Sequence, residues 1–279
     1  MQLSAVANRF NDMVCADAYT GVFAFKGQLG LYDDNKRDSE THERRVLSTA
    51  PGVRIPTRRV ISAAGTHFIV GHGSPDDYKG KTIRVGYVAH EATYLARIRT
   101  LEQVCLSQPG ISAYAGRAWV KDSAFSQQSS KLAPEVHVHF SATETVAAAL
   151  TVDFEGRLHV VRSVNAGPSG TTVAMCEEIK GSAVESGVVL TLSAYNPLTE
   201  SPSSSTVVVK IVRLRWQSLF EYHDSTAPKF GPGDLQIAVA KSAATVTPGS
   251  TLVLSDGRWR VESVVGEGLV WLCRATRYG

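Results

Sequence analysis

The sequence predicts a mainly β fold of two small β-barrel or sandwich domains related by internal duplication, with a short N-terminal helix and long loops. In the second half, short runs rich in β-branched and aromatic residues recur with turn residues between them, which is typical of sandwiches and small barrels. The second half also resembles itself at an offset of 100 residues. The first half mixes strand-like runs with strongly polar stretches that are typical of loops.

The N-terminal region is the least regular part of the chain. Apolar residues within 2–14 fall near helical spacing and predict a short helix, and the strongly polar residues 31–45 predict a long loop or arm. Strand-like runs flank the turn Ala63-Ala64-Gly65, and Ser74-Pro75-Asp76-Asp77 predicts a loop. Residues 91–107 fit either a short helix or a continued strand.

Two similar segments define the predicted duplication, residues 137–164 and residues 237–264. Val146 aligns with Val246, Thr151 with Thr251, and Ser163-Val164 with Ser263-Val264. Gly156-Arg157 and Gly257-Arg258 are one residue out of step, which a single insertion in each copy explains. The second copy holds Asp256-Gly257, and Asp-Gly is the strongest short hairpin signal. A weaker echo at Val60–Val70, with Gly65 as its turn, carries little weight by itself.

These patterns divide the chain into three regions. Residues 1–110 form a β-rich region with the short helix and polar arm, residues 111–200 a barrel-like first repeat, and residues 201–279 a barrel-like second repeat. The Ser-rich tract Ser201–Ser205 follows Asn196-Pro197 and indicates a turn or a connector between the repeats.

Composition and charge exclude several classes of protein. Of the 279 residues, 43% are hydrophobic and 20% charged, so the chain can build real cores and is not of the disordered class. A net charge of +3 is too small to indicate a dedicated nucleic-acid binder. The N-terminus lacks a basic start and a long apolar run, and no stretch reaches the ~20 apolar residues of a membrane span. We therefore expect a soluble protein made in the cytosol, with no membrane partner.

The residues that could carry chemistry do not form a recognisable set, so we expect no enzyme, no catalytic residues, no metal, no cofactor and no small-molecule substrate. Four cysteines far apart in sequence predict buried free thiols in a reducing compartment: Cys15, Cys105, Cys176 and Cys273. His137 and His139 share one face of a strand, but two ligands do not make a zinc site, and a solvated strand face is favoured. His72, between two glycines, is interpreted as part of a loop.

Basic and aromatic residues on predicted strands raise the question of nucleic acid. Lys210, Arg213 and Arg215 form the best local basic patch, which fits either phosphate contacts or a solvated edge protected by charge. The four tryptophans lie in strand-like, apolar contexts, and core packing or an interface is favoured over base stacking: Trp119, Trp216, Trp259 and Trp271.

The C-terminal half resembles the small β-barrel neck proteins of tailed bacteriophages, which include head-closure, head–tail connector and tail-completion proteins. The resemblance rests on Gly233-Asp234 before a strand, on Pro248-Gly249-Ser250-Thr251, and on the hairpin LSDGRWRV at Leu254–Val261. It implies a virion structural protein, assembled in the host cytoplasm, that forms a homo-oligomeric ring and contacts portal, adaptor or tail proteins. It also implies a channel that passes DNA only non-specifically.

The interface or channel residues expected on that basis lie in the polar arm and the basic patch: Asp33, Asp34, Lys36, Arg37, Lys210, Arg213 and Arg215. Other roles stay open. The chain could be a capsid decoration, baseplate or tail protein, or a DNA-binding β-module. A β-fold hydrolase would require a converging trio that involves His72, His90 or His159.

Overall fold

The computed structural model describes residues 13–22, 24–31, 44–50, 53, 55, 59–78, 81–118, 135–167, 170–179, 184–196, 198, 201–214 and 234–278. Within these ranges the chain forms eighteen strands and one short helix. The strands close into three six-stranded barrels, which confirms the predicted mainly β fold of small barrels. The chain divides into two compact units, Met1–Ile98 with Ser112–Glu178, and Arg99–Ile111 with Ile179–Gly279.

Barrel 1 lies in the first unit. Its strands are β1 (Met13–Asp17), β2 (Phe25–Leu31), β3 (Arg44–Thr49), β4 (Val60–Ala63), β5 (Thr66–Tyr78) and β6 (Lys81–Glu91). Alternate residues of these strands point inward, as the two-residue period of a strand requires. They build a core around Cys15, Leu47, Ile61 and Val70.

Barrel 2 belongs to the same unit. Its strands are β7 (Tyr94–Arg99), β8 (Ile111–Ala118), β9 (Glu135–Phe140), β10 (Thr151–Phe154), β11 (Arg157–Ala166) and β12 (Thr172–Glu178). Phe140 and Phe154 are its largest fully buried side chains, and small residues such as Ala113 and Ala115 belong to the same core.

Barrel 3 forms the second unit together with helix α1 (Leu101–Cys105). Its strands are β13 (Val184–Asn196), β14 (Ser201–Leu214), β15 (Leu235–Ala240), β16 (Thr251–Leu254), β17 (Gly257–Glu267) and β18 (Val270–Arg277). Thr100 and Gln103 cap α1 reciprocally, at 3.1 and 2.8 Å, in the capping-box arrangement. The Cys105 thiol donates to the Ala238 carbonyl at 3.5 Å, which fastens the helix to β15.

All three barrels share one strand order. Three consecutive strands pair side by side, and the next three follow in reverse: β1-β2-β3-β6-β5-β4, β7-β8-β9-β12-β11-β10 and β13-β14-β15-β18-β17-β16. Because each sheet closes on itself, every strand has a neighbour on both sides within the barrel. The chain thus repeats one supersecondary unit three times, one more barrel than the two that the sequence predicted.

Barrels 2 and 3 keep the offset of 100 residues in their hydrogen-bond register. Thr151 pairs with Val160, and Thr251 pairs with Arg260. The following ladders each shift register at the same place, after Val161 and after Val261. The expected single insertion is therefore wrong, because the two hairpins have the same length. The glycines are out of step because Gly156 lies in the turn of its hairpin, whereas Gly257 is the first residue of the return strand β17.

The backbone before each of these hairpins is also shared. The N–H of Ala149 donates to the Val161 carbonyl at 2.9 Å, and the N–H of Gly249 donates to the Val261 carbonyl at 2.7 Å. Both residues have positive φ, 67° for Ala149 and 90° for Gly249. Agreement in register, bulge and backbone conformation supports a true duplication over a chance likeness of two β-meanders.

The weaker sequence echo at Val60–Val70 lies in the corresponding hairpin of barrel 1. There β4 and β5 join through Ala64-Gly65, with φ of 51° and 81°, and β10 and β11 join through Glu155-Gly156, with φ of 52° and 73°. Positive φ at both central residues defines the hairpin turn that matches strand twist. The weaker echo at Val60–Val70 therefore belongs to barrel 1, which the sequence did not predict to be a barrel.

Several local expectations differ from the structure. Ser201–Ser205 is strand rather than a connector, because it pairs with the end of β13. The predicted loop at Ser74-Pro75-Asp76-Asp77 belongs to β5 and pairs with β6. Residues 91–107 contain both a strand and a helix. They begin with the last residue of β6 and continue through strand β7 and helix α1. Most of the helix predicted over 2–14 lies outside the described residues, and Met13 and Val14 belong to β1.

Candidate functional site

In the first unit, aromatic side chains join barrels 1 and 2. His67 stacks on Tyr114 with ring centroids 4.2 Å apart, and the Tyr19 ring lies 5.1 Å from Tyr114. The Tyr19 hydroxyl accepts from the Tyr114 backbone N–H at 3.0 Å and donates to Glu144 Oε1 at 2.9 Å. Burial raises the pKa of Tyr19, so its hydroxyl stays protonated and can keep donating. These contacts hold the two barrels together.

A buried pair of histidines lies between the same barrels. His90 and His139 stack with centroids 4.7 Å apart, and each is about one-twentieth exposed. His139 Nδ1 lies 3.2 Å from Thr171 Oγ1. The expected solvated face is therefore wrong for His139, whose side chain packs inside the unit.

The three histidines considered for a hydrolase, His72, His90 and His159, lie in different surroundings. His72 is exposed and lies at a register shift within β5, not in a loop. His159 is 2% exposed, and its Nδ1 lies 3.0 Å from the Arg157 carbonyl. Burial lowers the pKa of His159, which favours the neutral ring. His90 stacks on His139 rather than on either of the other two.

A small polar pocket of about 230 Å³ opens at one end of barrel 2. Its lining combines two carboxylates, a guanidinium, a phenol and a hydroxyl: Glu91, Thr93, Tyr94, Arg117 and Glu155. The Arg117 guanidinium binds both oxygens of Glu155, and Tyr94 packs edge-on to Phe154 with centroids 4.8 Å apart.

The chemistry of this pocket is limited by its own ion pair. Hydrogen bonding to Arg117 lowers the pKa of Glu155, so this carboxyl stays ionised and is a poor proton donor. Because Arg117 and Glu155 face each other, a ligand would have to compete with this ion pair for either charge. Among the described residues, no group of three or more His, Cys, Asp or Glu side chains could hold a metal ion.

The predicted basic patch is only partly open to solvent. Lys210 is exposed on β14. Arg213 makes a two-pronged ion pair with Asp256, both contacts at 2.9 Å, and Asp256 also accepts from Trp259 Nε1 at 3.1 Å. The pKa of Asp256 falls to about 2, chiefly because of Arg213. A phosphate would have to compete with this carboxylate for the Arg213 guanidinium.

The remaining predicted site residues lie outside the described residues. They are Arg215 of the basic patch and four residues of the polar arm: Asp33, Asp34, Lys36 and Arg37. The described ends of that arm show that it joins two paired strands, since Leu31 pairs with Arg45.

Predictions for the cysteines and one tryptophan are confirmed. None of the four cysteines forms a disulfide, and each is at most 1% exposed. Burial raises the pKa of Cys15 to about 11 and those of Cys105 and Cys273 to about 12. Trp259 is buried in the core of barrel 3. Trp271 is half-buried, and its Nε1 donates to the Ala244 carbonyl at 3.0 Å.

Sequence reasoning missed a hairpin that projects from barrel 3. Strand β13 pairs with β16 at Val189–Thr191, and β14 pairs with β15 from Ile211 onward. Leu192–Asn196 and Ser201–Ser205 pair with each other beyond both of these ladders. We call these two paired segments the barrel 3 arm. At about 3.3 Å per residue, the five pairs span roughly 17 Å.

A second hairpin projects from barrel 1. Asp76–Tyr78 of β5 pair with Lys81–Arg84 of β6, beyond the pairs that β6 makes with β3 at Val85–His90. We call it the barrel 1 hairpin. The run of residues without charge between Glu185 and Glu200 is the sequence signal that distinguishes the barrel 3 arm from this charged hairpin.

Comparison with known proteins gives no relative: no family model, no curated protein and no solved structure matches this chain. Across the described ranges, no helix is both long enough and apolar enough to cross a bilayer.

Proposed function

We propose that the protein is a structural subunit of a tailed-phage virion. Copies of it form a ring at the head–tail junction, through contacts with one another and with portal, adaptor or tail proteins. The observation that carries this proposal is the threefold repetition of one closed barrel, from which two hairpins project. Repeated rigid modules with projecting elements suit assembly, since each module presents a fixed surface to a neighbour.

The internal chemistry of the barrels is consistent with this role. The buried thiols and the stacked histidines serve packing, and Arg117 pairs with Glu155 within the polar pocket. Weak, sequence-independent contact with passing DNA is supported by exposed cations on barrel 3, which are Lys210, Arg258 and Arg260.

The test is the mass of the purified chain by light scattering, alone and mixed with an isolated portal ring. A defined ring, or a subunit that joins the portal at fixed stoichiometry, supports the neck role. Binding to isolated capsids or baseplates but not to the portal would assign the protein to decoration or to the baseplate instead. A chain that ignores every virion component overturns the proposal.

A further inference from the structure

In the barrel 3 arm, one backbone edge of β13 has no paired strand among the described residues. On that edge, β16 begins at Thr251, which pairs with Thr191, so the partner strand is absent beside Leu192–Asn196 among the described residues. A two-stranded ribbon is at best marginally stable in water, and its free edges offer N–H and C=O groups to any incoming strand.

Natural sheets protect such edges with charge, proline or bulges, and the chain does so elsewhere. The barrel 1 hairpin carries five charged residues within nine positions: Asp76, Asp77, Lys79, Lys81 and Arg84. In the barrel 3 arm, β14 contains Pro202, which has no N–H to donate. The β13 segment LSAYN has neither charge nor proline.

We propose that the β13 edges of two copies of this chain pair with each other, antiparallel, about a twofold axis at Ala194. In this register Ala194 faces Ala194 of the second copy, and Leu192 faces Asn196. The segment is five residues long and centred on a small residue, so the match is complete and brings no like charges together.

The second copy's strand would continue the line of β16 along β13. It would therefore fill the part of the ladder that β16 leaves open. The contact goes beyond the proposed neck role and does not depend on it. A twofold contact alone joins two copies, so a ring would need another surface in addition.

The experiment measures the mass of the full chain by light scattering over a concentration series. Ala194→Lys and Ala194→Glu each place like charges opposite each other at the axis, and we expect the dissociation constant of the dimer to rise by roughly tenfold or more. Mixing the two variants should restore a heterodimer. The matched control is Ser204→Lys on β14, which adds the same charge to the same arm and should leave the dimer intact.

A second readout uses Ala194→Cys, because the native thiols are buried. Mild oxidation should give a disulfide-linked dimer, whereas Ser204→Cys should not. The proposal fails if the wild-type chain stays monomeric, if Ala194→Lys leaves the mass unchanged, or if Ser204→Lys disrupts the dimer equally. Near-UV circular dichroism of each variant shows whether barrel 3 is folded. Indifference to the portal would overturn the neck role and leave this result standing.

Discussion

At Gly116 of β8, the backbone of Glu91 approaches so closely that even an alanine side chain would not fit. An alanine Cβ there would lie 1.9 Å from the carbonyl oxygen of Glu91, whereas real Cβ contacts are essentially never shorter than 3.0 Å. The two segments would have to part by about 1.1 Å, the difference between these distances. Because the obstacle is backbone and cannot rotate away, we expect Gly116→Ala to cost about 3 kcal/mol, the upper end for overpacking.

The assay is thermal unfolding of the full chain by differential scanning calorimetry. For a unit of this size, about 3 kcal/mol lowers Tm by roughly 6–12 °C. Gly156→Ala is the matched control: its φ is 73°, but no atom lies within 4 Å of the added Cβ, so only the backbone penalty of about 1 kcal/mol applies. If Gly116→Ala melts at or above the temperature of Gly156→Ala, the contact does not constrain the first unit and the reasoning is wrong.

Three further outcomes follow from the described contacts. The pKa of Asp256 is about 2 in the folded chain and 3.8 ordinarily, so its stabilising effect is present above about pH 4 and lost as the pH falls towards 2. Asp256→Asn should remove this pH dependence and lower the free energy of unfolding by at most about 1 kcal/mol near neutral pH, because the Arg213–Asp256 pair is partly exposed. Urea unfolding measured over a range of acidic pH values tests both expectations. The four thiols should react slowly with Ellman's reagent at pH 8 in the folded chain and fully in denaturant, and fast labelling of the native protein would contradict their burial. Phe154→Ala should destabilise the first unit by about 3–5 kcal/mol in chemical denaturation, unlike the exposed Leu95→Ala, and equal effects would contradict the assigned core.

The sequence predicted the elements whose signals are local. The strands around Asp256-Gly257 and Glu155-Gly156 follow from alternating apolar residues and turn chemistry, and the structure places both hairpins there. Barrel 1 was left unassigned because its resemblance to the other copies is confined to one short hairpin. Pro75 and Ser201–Ser205 looked like loop because proline and serine are typical of turns, yet their backbones pair in strands with partners that no local pattern specifies.

The candidate site was less predictable because its contacts are distant in sequence. Arg213 looked like an open cation, but its partner Asp256 lies 43 residues away and meets it only when the barrel closes. His139 shares a strand face with His137, which predicted a solvated face, yet it is buried because a second barrel with His90 packs over it. The β13 edge that lacks a paired strand in the described part of the chain depends on where β16 begins, which no local pattern specifies.

The route of the chain between its two units limits how the protein can be divided. The segment that carries α1 lies between β7 and β8 in sequence, yet it packs with barrel 3, so the polypeptide passes between the units three times. A fragment cut cleanly after Glu178 would leave barrel 3 without Val104 and Cys105, which are buried in the intact chain. During synthesis α1 is made well before the strands of barrel 3, so the helix cannot pack against them until they have been synthesised. No single cut of the chain therefore separates the two units.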